Sequence, residues 1–196
     1  MLDHACQVGR APLKEHPGDL YDTPDVAVHA LLKVEKLPSR IWEPACGAGN
    51  IVNVLREAGH EVVATDLNQR GCHDSFFGVD FLFPLIIPPI KADAIVTNPP
   101  FSLAEEFVVA ALGRVPLVVM LMRLAFYESE KRTNILEGAG LARIHAFANR
   151  LPMMHRAGWQ GRKASSSMPF AWFVWERGYA GPTTIDRIRW VPRYVG

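Results

Sequence analysis

"ADAIVTNPPFSLAEEFVVAALG", residues 92–113, reads as a buried strand, a stiff turn and a helix in that order. Ala94 to Thr97 supply the strand, and Asn98, Pro99, Pro100 and Phe101 follow it. Proline has no amide hydrogen and fixes its own φ, so the pair must be an extended, rigid exit from a sheet. That exit holds Asn98 and Phe101 at fixed angles. Ser102 and Glu105 fit a capping box, S-x-x-E, opening the helix "LAEEFVVAALG". Two readings stay open here: a turn with Phe101 tucked into the core, or two side chains held ready for a ligand.

The same alternation extends in both directions. Thr23-Pro24 marks a helix start, with Thr23 as N-cap and Pro24 at the first helical position. "RIWEPA" is a short strand, "NIVNVLREAG" an amphipathic helix closed at Gly59, and "HEVVATDL" a second strand. "PLVVMLMRL" has the apolar run of a fully buried strand, and "ARIHAFAN" and "PFAWFVWER" are strands too, with Phe170, Trp172 and Phe173 as core. Strands alternating with helices predict an α/β chain with a parallel sheet covered on both faces. Ligands of such sheets bind beyond the carboxyl ends of the strands. That singles out Glu43 to Asn50, Asp66, Asp80-Phe81, Asn98 to Phe101, and Arg123 onward.

At 196 residues there is room for one domain with a substantial core. The start, "MLDHACQVGR", shows no apolar run behind a basic flank, so no signal peptide is expected. No apolar stretch approaches the roughly 20 residues of a membrane span. Three cysteines without C-x-x-C spacing and scattered histidines suit a reduced, cytoplasmic protein with no metal site. The net charge is +1, but residues 1–100 carry 8 Lys/Arg against 13 Asp/Glu, and residues 101–196 carry 13 against 7. A basic back half can lie over a polyanion. Residues 1–19 lack periodicity and read as an N-terminal arm, with a single domain over residues 20–196.

"EPACGAGN" sits at the first strand end. Gly47 and Gly49 allow a tight turn and close approach to a ligand, and the next helix offers free N–H groups. A dinucleotide fingerprint would want glycine at position 52, where the chain has Val52. Glu43, ahead of the glycines, would repel a pyrophosphate but suit an ammonium. Asp66 is placed to accept from two ribose hydroxyls. Asp80 can accept from an adenine amine, with the Phe81 ring packing on the base. Ribose, adenine and ammonium without a pyrophosphate describe S-adenosylmethionine.

In this order, "YDTP", "EPACGAG", "TD", "DF" and "NPPF" resemble the S-adenosylmethionine-dependent amino-methyltransferases, particularly N6-adenine DNA methyltransferases of the small phage or prophage kind. The resemblance runs through motifs from about residue 20 to 125. It implies a Rossmann-like class I methyltransferase fold, with a mostly parallel seven-stranded sheet and helices on both faces. It implies that Thr23 and Pro24 meet the methionine end of the cofactor, with Tyr21 in the same set. Glu43, Pro44, Cys46, Gly47, Gly49 and Asn50 would surround the amino-acid part, Asp66 the ribose, and Asp80 and Phe81 the adenine.

On that reading the rigid exit has a chemical purpose. A nucleobase amine is a poor nucleophile because its lone pair is delocalised into the ring. Two acceptors on its N–H bonds, Asn98 Oδ1 and the Pro99 carbonyl, favour a pyramidal nitrogen, and Pro99-Pro100 hold them still. Phe101 would stack on the base, flipped out of duplex DNA. Arg123 is a further candidate for substrate binding. In the long stretch between the last two strands named above, Arg150, His155, Arg156, Trp159, Arg162 and Lys163 interleave basic and aromatic residues, suited to phosphate contacts and wedging. A solvated surface loop remains the alternative. No separate recognition domain fits in this length, which implies loose specificity, a homodimer or a recognition partner. NPPF alone does not separate DNA adenine from an RNA base (adenine N6 or guanine N2) or a protein glutamine. A catalytically silent cofactor- or DNA-binding subunit is the alternative of another class.

Overall fold

The computed structural model describes residues 22–84, 91–153 and 168–191. The arm expected over residues 1–19 and the loop residues 154–167 lie outside them. Eight strands are described: β1 (Arg40–Glu43), β2 (Glu61–Asp66), β3 (Phe76–Phe77), β4 (Ala94–Thr97), β5 (Leu117–Arg123), β6 (Leu141–Phe147), β7 (Phe170–Glu176) and β8 (Thr184–Ile188). Four α-helices join them: α1 (Asp25–Leu32), α2 (Asn50–Glu57), α3 (Ala104–Arg114) and α4 (Thr133–Leu136).

The strands form one sheet in the order β3-β2-β1-β4-β5-β7-β6-β8. Every neighbouring pair is parallel except those of β7, which runs antiparallel to both β5 and β6. The sheet has eight strands instead of the expected seven: β3 and β8, its two edges, flank the six strands read from the sequence. In β8 only Ile188 is buried, so "TIDRI" lacks the apolar signal by which the inner strands are recognised.

Side chains alternate across the sheet with the period of two that strand geometry dictates. Val119, Leu121, Trp172 and Val174 join one core with α1 and α2. Val118, Met120, Met122, Phe173 and Trp175 join the other with α3 and α4. Helices therefore cover both faces, as expected. Phe170, Trp172 and Phe173 are buried, which bears out their reading as core. The buried indoles find acceptors: Trp42 donates to Thr65 Oγ1, Trp172 to the Ala27 carbonyl and Trp175 to the Ile135 carbonyl.

One charged cluster is built into this frame. Buried Glu35 accepts from Arg143 Nε at 2.5 Å and lies 2.6 Å from His145 Nε2, and Arg143 also pairs with Glu176. Burial alone would raise the Glu35 carboxyl. The bonds from His145 and Arg143 outweigh it and hold the group below its ordinary value.

Both helix starts differ from expectation. Pro24, not Thr23, occupies the cap of α1, without a side-chain cap bond. Ser102 lies inside a 3-10 turn, Phe101–Leu103, and α3 begins only at Ala104. At α1 a tertiary partner takes the hydroxyl: Thr23 accepts a long-range bond from Asn98 instead of capping.

Candidate active site

Strands β1, β2 and β4 finish on one edge of the sheet, in parallel register with Glu43 opposite Ala64 and Trp42 opposite Ile95. Their carboxyl ends place Glu43, Asp66 and Asn98 around a common rim. The glycine turn closes across it. Cys46 N donates to the Thr65 carbonyl at 3.1 Å, and Gly47 N donates to Asp66 Oδ2 at 2.9 Å. Gly47 and Gly49 take φ of 53° and 91°, the left-handed region that glycine enters without strain. At Gly49 a side chain would also crowd a neighbour, since a Cβ would stand 2.9 Å from Cys72 Sγ and that sulfur would have to shift.

Glu43 is completely buried. Its Oε1 accepts from Ala45 N at 3.0 Å and from Thr97 Oγ1 at 2.5 Å, while Oε2 is buried without a partner among the described residues. Burial pushes its carboxyl up to about 8, against the lowering effect of those two bonds, and nearby Asp66 adds to the rise. A buried carboxylate oxygen with no donor is a place where a cation gains most. The Cys46 thiol in the same turn is likewise pushed up by burial, with Cys72 and Glu43 adding to it.

Asp66 is 7% exposed and accepts from Gly47 N and from Asn68 N at 2.8 Å. Arg70 Nε stands 3.7 Å from Asp66 Oδ1; a carboxylate has about four lone-pair sites, so two backbone bonds and this ion pair still leave it capacity for a hydroxyl donor. Half-exposed Asp80 accepts from Leu82 N at 2.9 Å. The structure departs from expectation at Phe81, whose ring lies in the core, 5.1 Å from Trp42 and 4.9 Å from Phe107, with Arg114 over it at 4.7 Å. It is 2% exposed, so it has no ring face for an adenine. An aromatic after a loop acid looks the same in sequence whether it turns inward or outward.

Residues distant in the chain meet at Thr23. Asn98 Nδ2 donates to Thr23 Oγ1 at 3.0 Å, and Asn50 Nδ2 donates to the Thr23 carbonyl at 2.8 Å. With Nδ2 committed to Thr23, the Asn98 amide turns Oδ1 away from that bond. Pro99 is buried and Pro100 half-buried, and the Pro100 carbonyl accepts from Leu103 N. Phe101 is half-buried, 5.7 Å from Phe170, with the Arg123 guanidinium over its ring at 4.4 Å.

Arg150 is exposed, and its carbonyl accepts from Trp190 Nε1 at 3.1 Å. Tyr21, Trp159, Arg162 and Lys163 lie outside the described residues. Thr97 and Cys72 were not foreseen at the site. Thr97 carried a signal, a hydroxyl in an otherwise apolar buried strand beside Asn98; Cys72 carried none. Among the described residues no group of three or more side chains could hold a metal ion. No helix there is long and apolar enough to cross a membrane.

The fold has relatives among solved structures. A protein from Listeria monocytogenes, assigned as a class I S-adenosylmethionine-dependent methyltransferase, matches with a TM-score of 0.60 at 15% identity, over 84% of this chain and 65% of that one. A protein from Pyrococcus horikoshii, assigned as an RNA methyltransferase, matches with 0.61 at 12% identity, over 82% and 88%. A chain from Vibrio vulnificus, assigned as the modification subunit of a type I restriction enzyme, matches with 0.58 at 15% identity, over 87% and 46%. The chain thus spans less than two thirds of the Listeria and Vibrio proteins. No protein-family model and no curated protein sequence matches it. At these identities the likeness shows the fold, and the fold is that of the class I methyltransferases.

Proposed function

We propose that the chain transfers a methyl group from S-adenosylmethionine to the exocyclic N6 amine of adenine in DNA. The observation that carries this reading is the 3.0 Å hydrogen bond from Asn98 to Thr23, which joins the motif suited to an amine with the motif suited to the cofactor. Bound S-adenosylmethionine would supply an electrophilic sulfonium methyl. The residues fit it: Glu43 Oε2, buried and without a donor among the described residues, suits the ammonium, while Asp66 suits the ribose and Asp80 the adenine amine. Thr23, Pro24, Pro44, Cys46, Gly47, Gly49 and Asn50 would enclose the amino-acid part, joined by Tyr21 on sequence grounds. The Phe81 ring takes no part in this assignment.

Asn98 Oδ1 and the Pro99 carbonyl then accept the two amine hydrogens of the target base, and Pro99-Pro100 keep them from reorganising. Positioning carries most of the reaction, because the methylated nitrogen loses its proton readily and no strong base is needed. The adenine must leave the duplex to reach the rim. Residues 20–196 form the catalytic domain on this reading. Its basic back half, with Arg150, Trp159, Arg162 and Lys163, faces DNA, helped by a homodimer or a recognition partner, in the cytoplasm of a bacterium or phage-infected cell.

Transfer of labelled methyl to DNA, RNA and protein pools, followed by nucleoside analysis, tests this. The expected product is N6-methyladenine in DNA. Label in RNA or protein alone would refute the assigned substrate, and no label in any pool would favour a silent subunit. Asn98→Ala should lower transfer on the order of 100-fold or more while leaving S-adenosylhomocysteine binding nearly intact. Activity within a few-fold of wild type would overturn the role given to Asn98.

A further inference from the structure

Among the described residues, Phe170 and Arg123 both adjoin the Phe101 ring, and they differ in how firmly they are held. Phe170 is 2% exposed and locked into β7, where it pairs with Arg123 across the antiparallel ladder. Arg123 ends β5, three residues past Met120, which is paired with Thr97 at the end of β4. Its guanidinium carbon stands 4.4 Å from the centre of the Phe101 ring. Its Nε is buried without a hydrogen-bond partner among the described residues. A guanidinium is planar, weakly hydrated and stacks on aromatic faces. It therefore occupies the kind of place a flat base would take, and a base stacked on that face of Phe101 must displace it. Phe170 is packed into the core shared with α1 and α2 and cannot leave without opening a cavity there. Arg123, on a flexible stem at a strand end, can.

We propose that Arg123 is a displaceable stand-in for the target base, covering Phe101 in the free protein and moving to a DNA phosphate when an adenine takes its place. The proposal rests on the reading of Asn98 to Phe101 as the amine-binding motif. It explains the donor without an acceptor: Nε lacks a partner among the described residues while the guanidinium lies on the ring, and gains one on a phosphate, where the planar fork binds two oxygens at once. It also makes base entry and backbone contact a single exchange. The protein then favours an adenine attached to DNA over a free purine, because only the former offers the phosphate that receives Arg123.

Fluorescence titration with 2-aminopurine deoxyriboside, and binding of a mixed-sequence duplex at several salt concentrations, test the exchange in wild type, Arg123→Ala, Arg123→Lys and Phe101→Ala. Arg123→Ala should bind the free nucleoside about three- to tenfold tighter, the equivalent of a cation–π contact of about 0.7–1.4 kcal/mol. The same variant should bind duplex more weakly, with a log–log salt slope flatter by about one. Arg123→Lys should keep the salt slope while gaining part of the nucleoside affinity, and it carries the test alone if the alanine variant does not fold. Nucleoside binding by Arg123→Ala that equals or falls below wild type would overturn the proposal, as would an unchanged salt slope. Nucleoside binding indifferent to Phe101→Ala is a separate failure: it removes Phe101 as the surface on which the base stacks, and the exchange with it.

Discussion

Replacing Glu43 by glutamine tests the electrostatics of the proposed cofactor site in a protein without ligand. The carboxyl is pushed from 4.5 up to about 8, chiefly by burial. A tenfold change in a proton-binding constant corresponds to about 1.36 kcal/mol, so ionising Glu43 costs the fold roughly 4–5 kcal/mol relative to the unfolded chain. Between those two values the folded protein binds more protons than the unfolded one. Stability from this group is therefore fully present below pH 4.5 and lost progressively as pH rises to about 8. Glu43→Gln does not titrate, and other groups cancel in the difference between the two proteins. Urea unfolding from pH 5 to pH 9 should show the variant gaining on wild type by several kcal/mol as pH rises. A difference that stays flat across that range would refute the buried, proton-holding state of Glu43. The same carboxyl must ionise to face an ammonium, so wild-type affinity for S-adenosylhomocysteine should rise about tenfold or more between pH 6 and pH 8, with proton release. The variant should bind weakly throughout.

Asp66→Ala should weaken S-adenosylhomocysteine binding by roughly 1–3 kcal/mol, since it removes a proposed ribose acceptor and frees the Gly47 amide it holds; unchanged calorimetric affinity in a folded variant would take Asp66 out of the site. Gly49→Ala meets both φ of 91° and the Cys72 sulfur, and should cost on the order of 1–3 kcal/mol in urea unfolding. Adding Cys72→Ala should recover the contact share only, and full recovery would mean that backbone conformation is not the constraint. Glu35→Ala leaves Arg143 and His145 without their shared carboxylate and should cost roughly 3 kcal/mol. In wild type that contribution should persist above pH 4.5 and fade as pH drops through the lowered value of Glu35. Acid melts of the two proteins that run parallel would contradict this.

The inner strands were legible because burial on both faces demands unbroken apolar runs, as in "LVVMLMR" and "FAWFVW". β3 and β8 were not, because both Phe76 and Phe77 are exposed and β8 buries one side chain. The glycine turn and the stiff exit after β4 could be read from local chemistry alone. The partners of Thr23 could not: a hydroxyl before Pro-Asp satisfies a cap rule locally, and only the folded sheet brings Asn98 to it. Phe81 fails for the same reason in reverse. Its position in the chain is right for a ligand, but Trp42, Phe107 and Arg114 offer the ring a drier place.

The position of β7 between β5 and β6 matters during synthesis. β5 leaves the ribosome as a seven-residue apolar strand, and the neighbour that closes its outer edge begins only at Phe170. β6 emerges earlier but cannot serve, because its place in the sheet is one strand further out. A nascent chain that stops before residue 170 therefore presents an open, hydrophobic strand edge of the kind that recruits other chains. Truncation or ribosome stalling in that interval should yield aggregates, whereas loss of the tail beyond β8 leaves the inner sheet paired.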